Sequence, residues 1–115
     1  MTSEALCEVL SLGRYRYPAD EIRLQEEIAR ALAAAGVAFE REVRLSATDR
    51  IDFMVGSLGV EIKVKGASHA VMRQLLRYTE HARITELILF TTHAQIVVPD
   101  VLGGKPVSTV LRLSL

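Results

Sequence analysis

Asp52 sits in the apolar run Ile51-Asp52-Phe53, and one hairpin later Glu61-Ile62-Lys63 alternates a carboxylate and an ammonium with apolar residues. A strand sends residues i and i+2 to the same face, so Glu61 and Lys63 must point together while Val60, Ile62 and Val64 point the other way. Two carboxylates and an ammonium then meet on one side of a sheet. Charges held in strands this apolar cost stability unless they find partners, and a divalent cation bound through oxygen is such a partner. The pattern predicts a metal-dependent hydrolytic site. Asp52 and Glu61 would hold Mg2+ or Mn2+, the backbone carbonyl of Ile62 would complete the shell, and Lys63 would orient or deprotonate the attacking water.

These residues need elements to carry them, and the hydrophobic periodicity supplies them. Leu6, Val9, Leu10 and Leu12 suggest a short helix from Ser3 to Leu12, closed by Gly13. Asp20 is a good N-cap, and Leu24, Ile28, Ala31, Leu32 and Ala35 recur at helical spacing until Gly36, which predicts a helix from about Glu21 to Ala35. Three short strands follow, at Val37 to Leu45, Arg50 to Val55 and Leu58 to Val64, the last two joined through Gly56-Ser57. A second helix is expected from Ser68 to Ala82, with Val71, Leu75, Tyr78 and Ala82 on one face. Leu87-Ile88-Leu89-Phe90 reads as a strand buried on both faces. Ile96 to Pro99 and the Gly103-Gly104 turn read as a loop region, and Val107 to Leu113 as a final edge strand.

Composition bounds the rest. The 115 residues, half of them apolar, suffice for one core and one domain. We divide them into an N-terminal arm or short helix over 1–18 and the main domain over 19–115. Fourteen basic and fourteen acidic residues cancel, so contact with a polyanion must come from a local basic patch. The single Cys7 allows no internal disulfide, and no Cys/His spacing resembles a zinc site. The first residues show no basic region followed by an apolar one, and no apolar run approaches roughly 18 residues, so neither secretion nor membrane spanning is expected. A soluble cytoplasmic protein with no membrane segment is the expectation.

Taken together, Asp52, Glu61-Ile62-Lys63 and the order of elements around them resemble the PD-(D/E)XK nuclease superfamily. The resemblance spans roughly Glu21 to Thr92, and Ile51 stands where the family name has proline. It implies an α/β fold with a single-domain, restriction-endonuclease-like αβββαβ core, a mixed central sheet flanked by helices. Gln74-Leu75-Leu76-Arg77-Tyr78 resembles the Q-x-x-x-Y element of RecB-like members, which implies that Gln74 and Tyr78 contact the nucleic-acid backbone or brace the metal site. The first main helix, with Glu21 four residues before Gln25, is similar to the acidic first helix of VRR-NUC and related small nucleases. Glu21 would then be a third carboxylate, binding the cation directly or through water. The activity so implied is Mg/Mn-dependent hydrolysis of phosphodiesters, in DNA first of all, by a homodimer or a part of a larger complex.

Several residues have competing readings. Glu27 shares a face with Leu24, Ile28 and Ala31 and competes with Glu21 as the third acid; Tyr78 lies among apolar neighbours and suits core packing as well as a site role. Lys65, Arg73 and Arg77 flank the site and would form the local basic patch for phosphate contacts, against an ordinary solvated face. Arg14-Tyr15-Arg16-Tyr17 interleaves charge and aromatics as single-strand binders do, and reads as a substrate or dimer arm. His69, His81 and His93 suit solvated or capping roles. The alternative function is a non-catalytic nucleic-acid- or protein-binding module that keeps the nuclease fold; the retention of every charged position argues against it.

Overall fold

The computed structural model describes residues 1–16 and 20–113. The expected boundary between Pro18 and Ala19, and Tyr17 of the arginine-tyrosine segment, lie outside them. Helix α1 (Ser3–Leu12) starts where the Thr2 hydroxyl accepts the Ala5 amide, and it buries Leu6 and Leu10 completely. Helix α2 (Glu21–Ala34) starts at Asp20, whose side chain accepts the Arg23 amide. Its apolar stripe of Leu24, Ile28 and Leu32 is fully buried. Each cap satisfies an amide that the first helical turn would otherwise leave unpaired.

Strands β1 (Glu40–Arg44), β2 (Arg50–Val55) and β3 (Leu58–Lys63) form an antiparallel meander. Gly56, at φ +61°, supplies the left-handed residue in the β2–β3 turn. Helix α3 (Ser68–Thr79) then crosses over to β4 (Glu86–Thr91), which lies parallel to β3. Strands β5 (Val101–Leu102) and β6 (Lys105–Leu111) complete a mixed sheet in the order β1-β2-β3-β4-β6-β5. The domain is thus a compact α/β fold whose described residues form six strands and three helices.

The two faces of the sheet bury separate clusters. Leu6, Leu10, Leu24, Ile28 and Leu32 from α1 and α2 pack on Phe53, Val55, Val60, Ile62, Ile88 and Phe90. On the opposite face Val71, Leu75 and Tyr78 of α3 pack on Ile51, Met54, Leu87 and Leu89. Strand β4 contributes alternate residues to both clusters, as its unbroken apolar run predicts. No helix among the described residues is long and apolar enough to cross a membrane.

Some boundaries differ from expectation. The first strand begins at Glu40, because Val37 and Phe39 pack against the helical cluster before pairing starts. Helix α3 stops at Thr79 rather than Ala82: the Thr79 hydroxyl donates to the Leu76 carbonyl at 2.6 Å, and the chain turns through Glu80 and His81. The loop region holds a short strand, since Val101 and Leu102 pair with Pro106 and Lys105 around Gly103 and Gly104, both at positive φ. That hairpin starts β6 two residues early and puts β5 outside it in the sheet order. A two-residue strand shows no alternation, which is why periodicity does not reveal it.

Candidate active site

The site is built where the sheet ladder fails. The β2–β3 register runs through Phe53↔Val60 and stops, one step before Asp52 would face Glu61. On the other side, the β1–β2 register passes from Arg41↔Phe53 to Val43↔Ile51 without pairing Asp52 with Glu42, which has φ +50°. Asp52 therefore belongs to no ladder pair. The alternation of β2 also breaks there, since Ile51 packs with the α3 cluster whereas Phe53 and Val55 pack with α1 and α2. Gly59 makes room for this shift, because a Cβ at that position would come within 2.6 Å of the Ile51 side chain.

In place of backbone pairing, the two acids exchange side-chain bonds across the gap. The Asp52 amide donates to Glu61 Oε1 at 3.2 Å, and the Ile62 amide donates to Asp52 Oδ2 at 2.8 Å. An extended residue sends its amide and carbonyl to the same side, so the Ile62 carbonyl faces the same gap. Lys63 Nζ lies 3.5 Å from Glu61 Oε2. Glu61 and Lys63 thus share a face while Val60 and Ile62 pack with the helices behind, as a period of two requires.

Both flanking helices hold the acids in place. From α3, the Tyr78 hydroxyl lies 3.3 Å from Glu61 Oε2 and 3.0 Å from the Arg50 carbonyl, and it accepts a 2.8 Å bond from Gln74 Nε2. Tyr78 is fully buried, so its place is in the core with its hydroxyl aimed at the acid. From α2, Gln25 Nε2 donates to Asp52 Oδ1 at 3.0 Å. Gln25 was not among the expected site residues; its one signal is the four-residue spacing from Glu21, which puts both on one helical face.

Electrostatics mark the pair. Burial, and then the charge of Asp52, push Glu61 up to about 8, against the opposing pull of Lys63. Burial also raises Asp52, with the charge of Glu21 adding to it and the Ile62 amide and Lys63 opposing. Tyr78 is pushed further above the usual phenol range by burial and by Glu61. Two carboxyls this close, with one ammonium beside Glu61, do not readily carry two full negative charges. A divalent cation would release that conflict, and two carboxylates with a carbonyl and water suit Mg2+.

The remaining expected residues divide. Glu21 is half-buried, bears on the group through its charge on Asp52 and makes no hydrogen bond with a described residue; among the described residues no cluster of three or more acidic, histidine or cysteine side chains gathers to hold a metal. Glu27 points elsewhere: it is buried, and its Oε2 accepts the Arg16 amide at 2.9 Å. Arg77 turns to Asp49, with Nε 3.2 Å from Oδ1, and His81 Nε2 lies 3.3 Å from the other oxygen of the same carboxylate. Lys65 and Arg73 are exposed and make no ion pair with a described residue. Tyr15 is buried, its hydroxyl on the Leu10 carbonyl and its ring edge-on to Phe90, so it offers no stacking surface. Comparison with known protein families, with curated proteins and with solved structures finds no match to this chain.

Proposed function

We propose that the chain is a metal-dependent nuclease of the PD-(D/E)XK type that hydrolyses phosphodiester bonds in DNA, with the elements from α2 to β4 as its restriction-endonuclease-like core. The observation that carries this reading is the withdrawal of Asp52 from both ladders to face Glu61, with Lys63 beside them. A fold gains nothing in stability from two raised carboxyls in a broken ladder, whereas a cation site needs them.

Asp52, Glu61 and the Ile62 carbonyl would hold Mg2+ or Mn2+, and when bound the cation supplies positive charge to the phosphate under attack. Lys63 would orient the water as an ammonium and could take its proton only as the neutral amine. Tyr78 and Gln74 fix the rotamer of Glu61, and Gln25 fixes that of Asp52. Glu21 adds negative charge behind Asp52 and strengthens its hold on a cation. Lys65 and Arg73, exposed near the site, are offered as phosphate contacts. A cytoplasmic location and assembly as a homodimer or within a larger complex belong to the same reading.

The test is cleavage of labelled single-stranded, duplex and branched DNA in Mg2+ or Mn2+, with wild type beside Lys63→Ala. Cutting by the wild type that falls about 10^2- to 10^4-fold in the variant supports the reading and identifies the substrate. Equal cutting by both would remove Lys63 from the chemistry and point to a contaminant. No cutting by either would leave a non-catalytic binding module as the better account.

A further inference from the structure

We propose that the cavity between the end of α1 and the outer flank of α2 is a second nucleic-acid site, a groove for single-stranded DNA in which Arg14, Arg16 and Arg30 contact the phosphates. The cavity has a volume of about 930 Å³ and combines these three arginines with an apolar lining that includes Leu12 and Ala31. It lies away from the carboxylates. Glu27 lines it while Gln25 reaches Asp52, and two residues along an α-helix turn through roughly 200°, which puts them on opposite flanks of α2.

The arginines are set apart by their grouping around one cavity. Arg41 pairs with Glu26 at 3.1 Å, Arg77 with Asp49 at 3.2 Å, Arg83 with Glu40, and Arg112 with the carbonyls of Ser11 and Gly13, while Arg23, Arg50 and Arg73 make no ion pair with a described residue but do not line this cavity. Arg14, Arg16 and Arg30 make no ion pair with a described residue. The one acid in the cavity, Glu27, is buried and already accepts the Arg16 amide, so it holds the chain in place instead of neutralising a side chain. Tyr15 turns inward between Arg14 and Arg16 and leaves both to line the opening. In a chain with no net charge, this is a local excess of positive charge, three guanidinium groups to the one carboxylate of Glu27.

The occupant follows from size and chemistry. The volume far exceeds that of one phosphate ion. Three guanidinium groups beside an aliphatic lining suit consecutive phosphates with the apolar faces of sugar and base against that lining. The choice of DNA rests on the nuclease reading, but the site does not depend on catalysis. A groove of this kind on the far flank of α2 would hold a strand that runs beyond the scissile position, and so add affinity without touching the reacting phosphate.

The experiment is binding of a labelled 20-nucleotide single strand in EDTA, across a salt series, for wild type, Arg14→Gln/Arg30→Gln and Arg44→Gln. Because no cleavage occurs in EDTA, the result stands apart from the outcome of the cleavage assay. The double variant should bind at least tenfold more weakly at low salt and lower the slope of log K against log salt by about 1.4, two contacts at about 0.7 each for a single strand, with an unchanged melting temperature. Arg44→Gln, which removes an exposed charge outside both sites, should bind as wild type does. Unchanged affinity and slope in the double variant would overturn the proposal, and so would an equal loss of binding in Arg44→Gln. Inorganic phosphate, mononucleotides and polyglutamate serve as competitors: displacement by the strand alone supports the groove, and equal displacement by polyglutamate or by phosphate overturns it.

Discussion

Asp49 and Asp52 lie three residues apart around the start of β2, and the structure treats them in opposite ways. Asp49 is buried and given a cationic partner, Arg77, on one oxygen, with the His81 ring on the other. Asp52 receives two neutral donors, Gln25 and the Ile62 amide, and faces a second carboxyl. The first arrangement closes its charge within the protein. The second leaves its charge to be answered from outside. A buried acid with its own guanidinium is what a fold builds for itself, and a pair of acids with half an answer is what a site builds for a ligand.

Neutralising each aspartate separates the two most sharply. Asp52→Asn should cost on the order of a thousandfold in metal-dependent cleavage. In EDTA the same variant should melt at or above the wild-type temperature, because a charge that repels Glu61 is gone. Asp49→Asn should do the reverse, lowering stability by about 1–3 kcal/mol through a buried charge-assisted pair and leaving cleavage intact below its melting temperature. Parallel melts and cleavage rates decide it, and two variants with the same profile would erase the distinction.

The pH dependence of the metal-free fold is the next test. With Glu61 at about 8 in the folded protein and at its ordinary 4.5 in the unfolded chain, the folded state keeps a proton that the unfolded state has lost between those values. Stability contributed by protonated Glu61 is therefore full below about 4.5 and is lost as pH rises toward 8, with a slope of at most about 1.4 kcal/mol per pH unit. Raised Asp52 acts with the same sign. Denaturant unfolding in EDTA from pH 5 to 9 should show this decline in the wild type and a flatter profile in Glu61→Gln.

Smaller effects come from α3, which serves both acids. Tyr78→Phe removes a hydroxyl that lies near Glu61 and the Arg50 carbonyl, and should cost about 1 kcal/mol in unfolding free energy. Arg77→Ala should cost less, about 0.5 kcal/mol, because its side chain is 53% exposed and water screens the pair with Asp49. Its effect on DNA affinity should be smaller than that of Arg73→Ala. If Arg77→Ala weakened DNA binding without altering stability, the guanidinium would belong to the substrate and Asp49 would be its positioning partner.

What could be read along the chain was whatever depends on spacing alone. A period of two put Glu61 and Lys63 together and sent Val60 and Ile62 to the opposite face; a period of 3.6 paired Gln74 with Tyr78 and placed Gln25 on the flank of Glu21. The order from α2 through β4 was legible for the same reason, since each element carries its own apolar stripe, run or turn residues. Tertiary structure decided the rest. That the charge of Glu21 bears on Asp52 while Glu27 holds the Arg16 amide, that Arg77 is held by Asp49, that Tyr15 is core, and that the ladder breaks at Asp52 all depend on partners brought together from distant parts of the chain. Such pairings are set by how helices dock on the two faces of the sheet, and local periodicity carries no record of that choice.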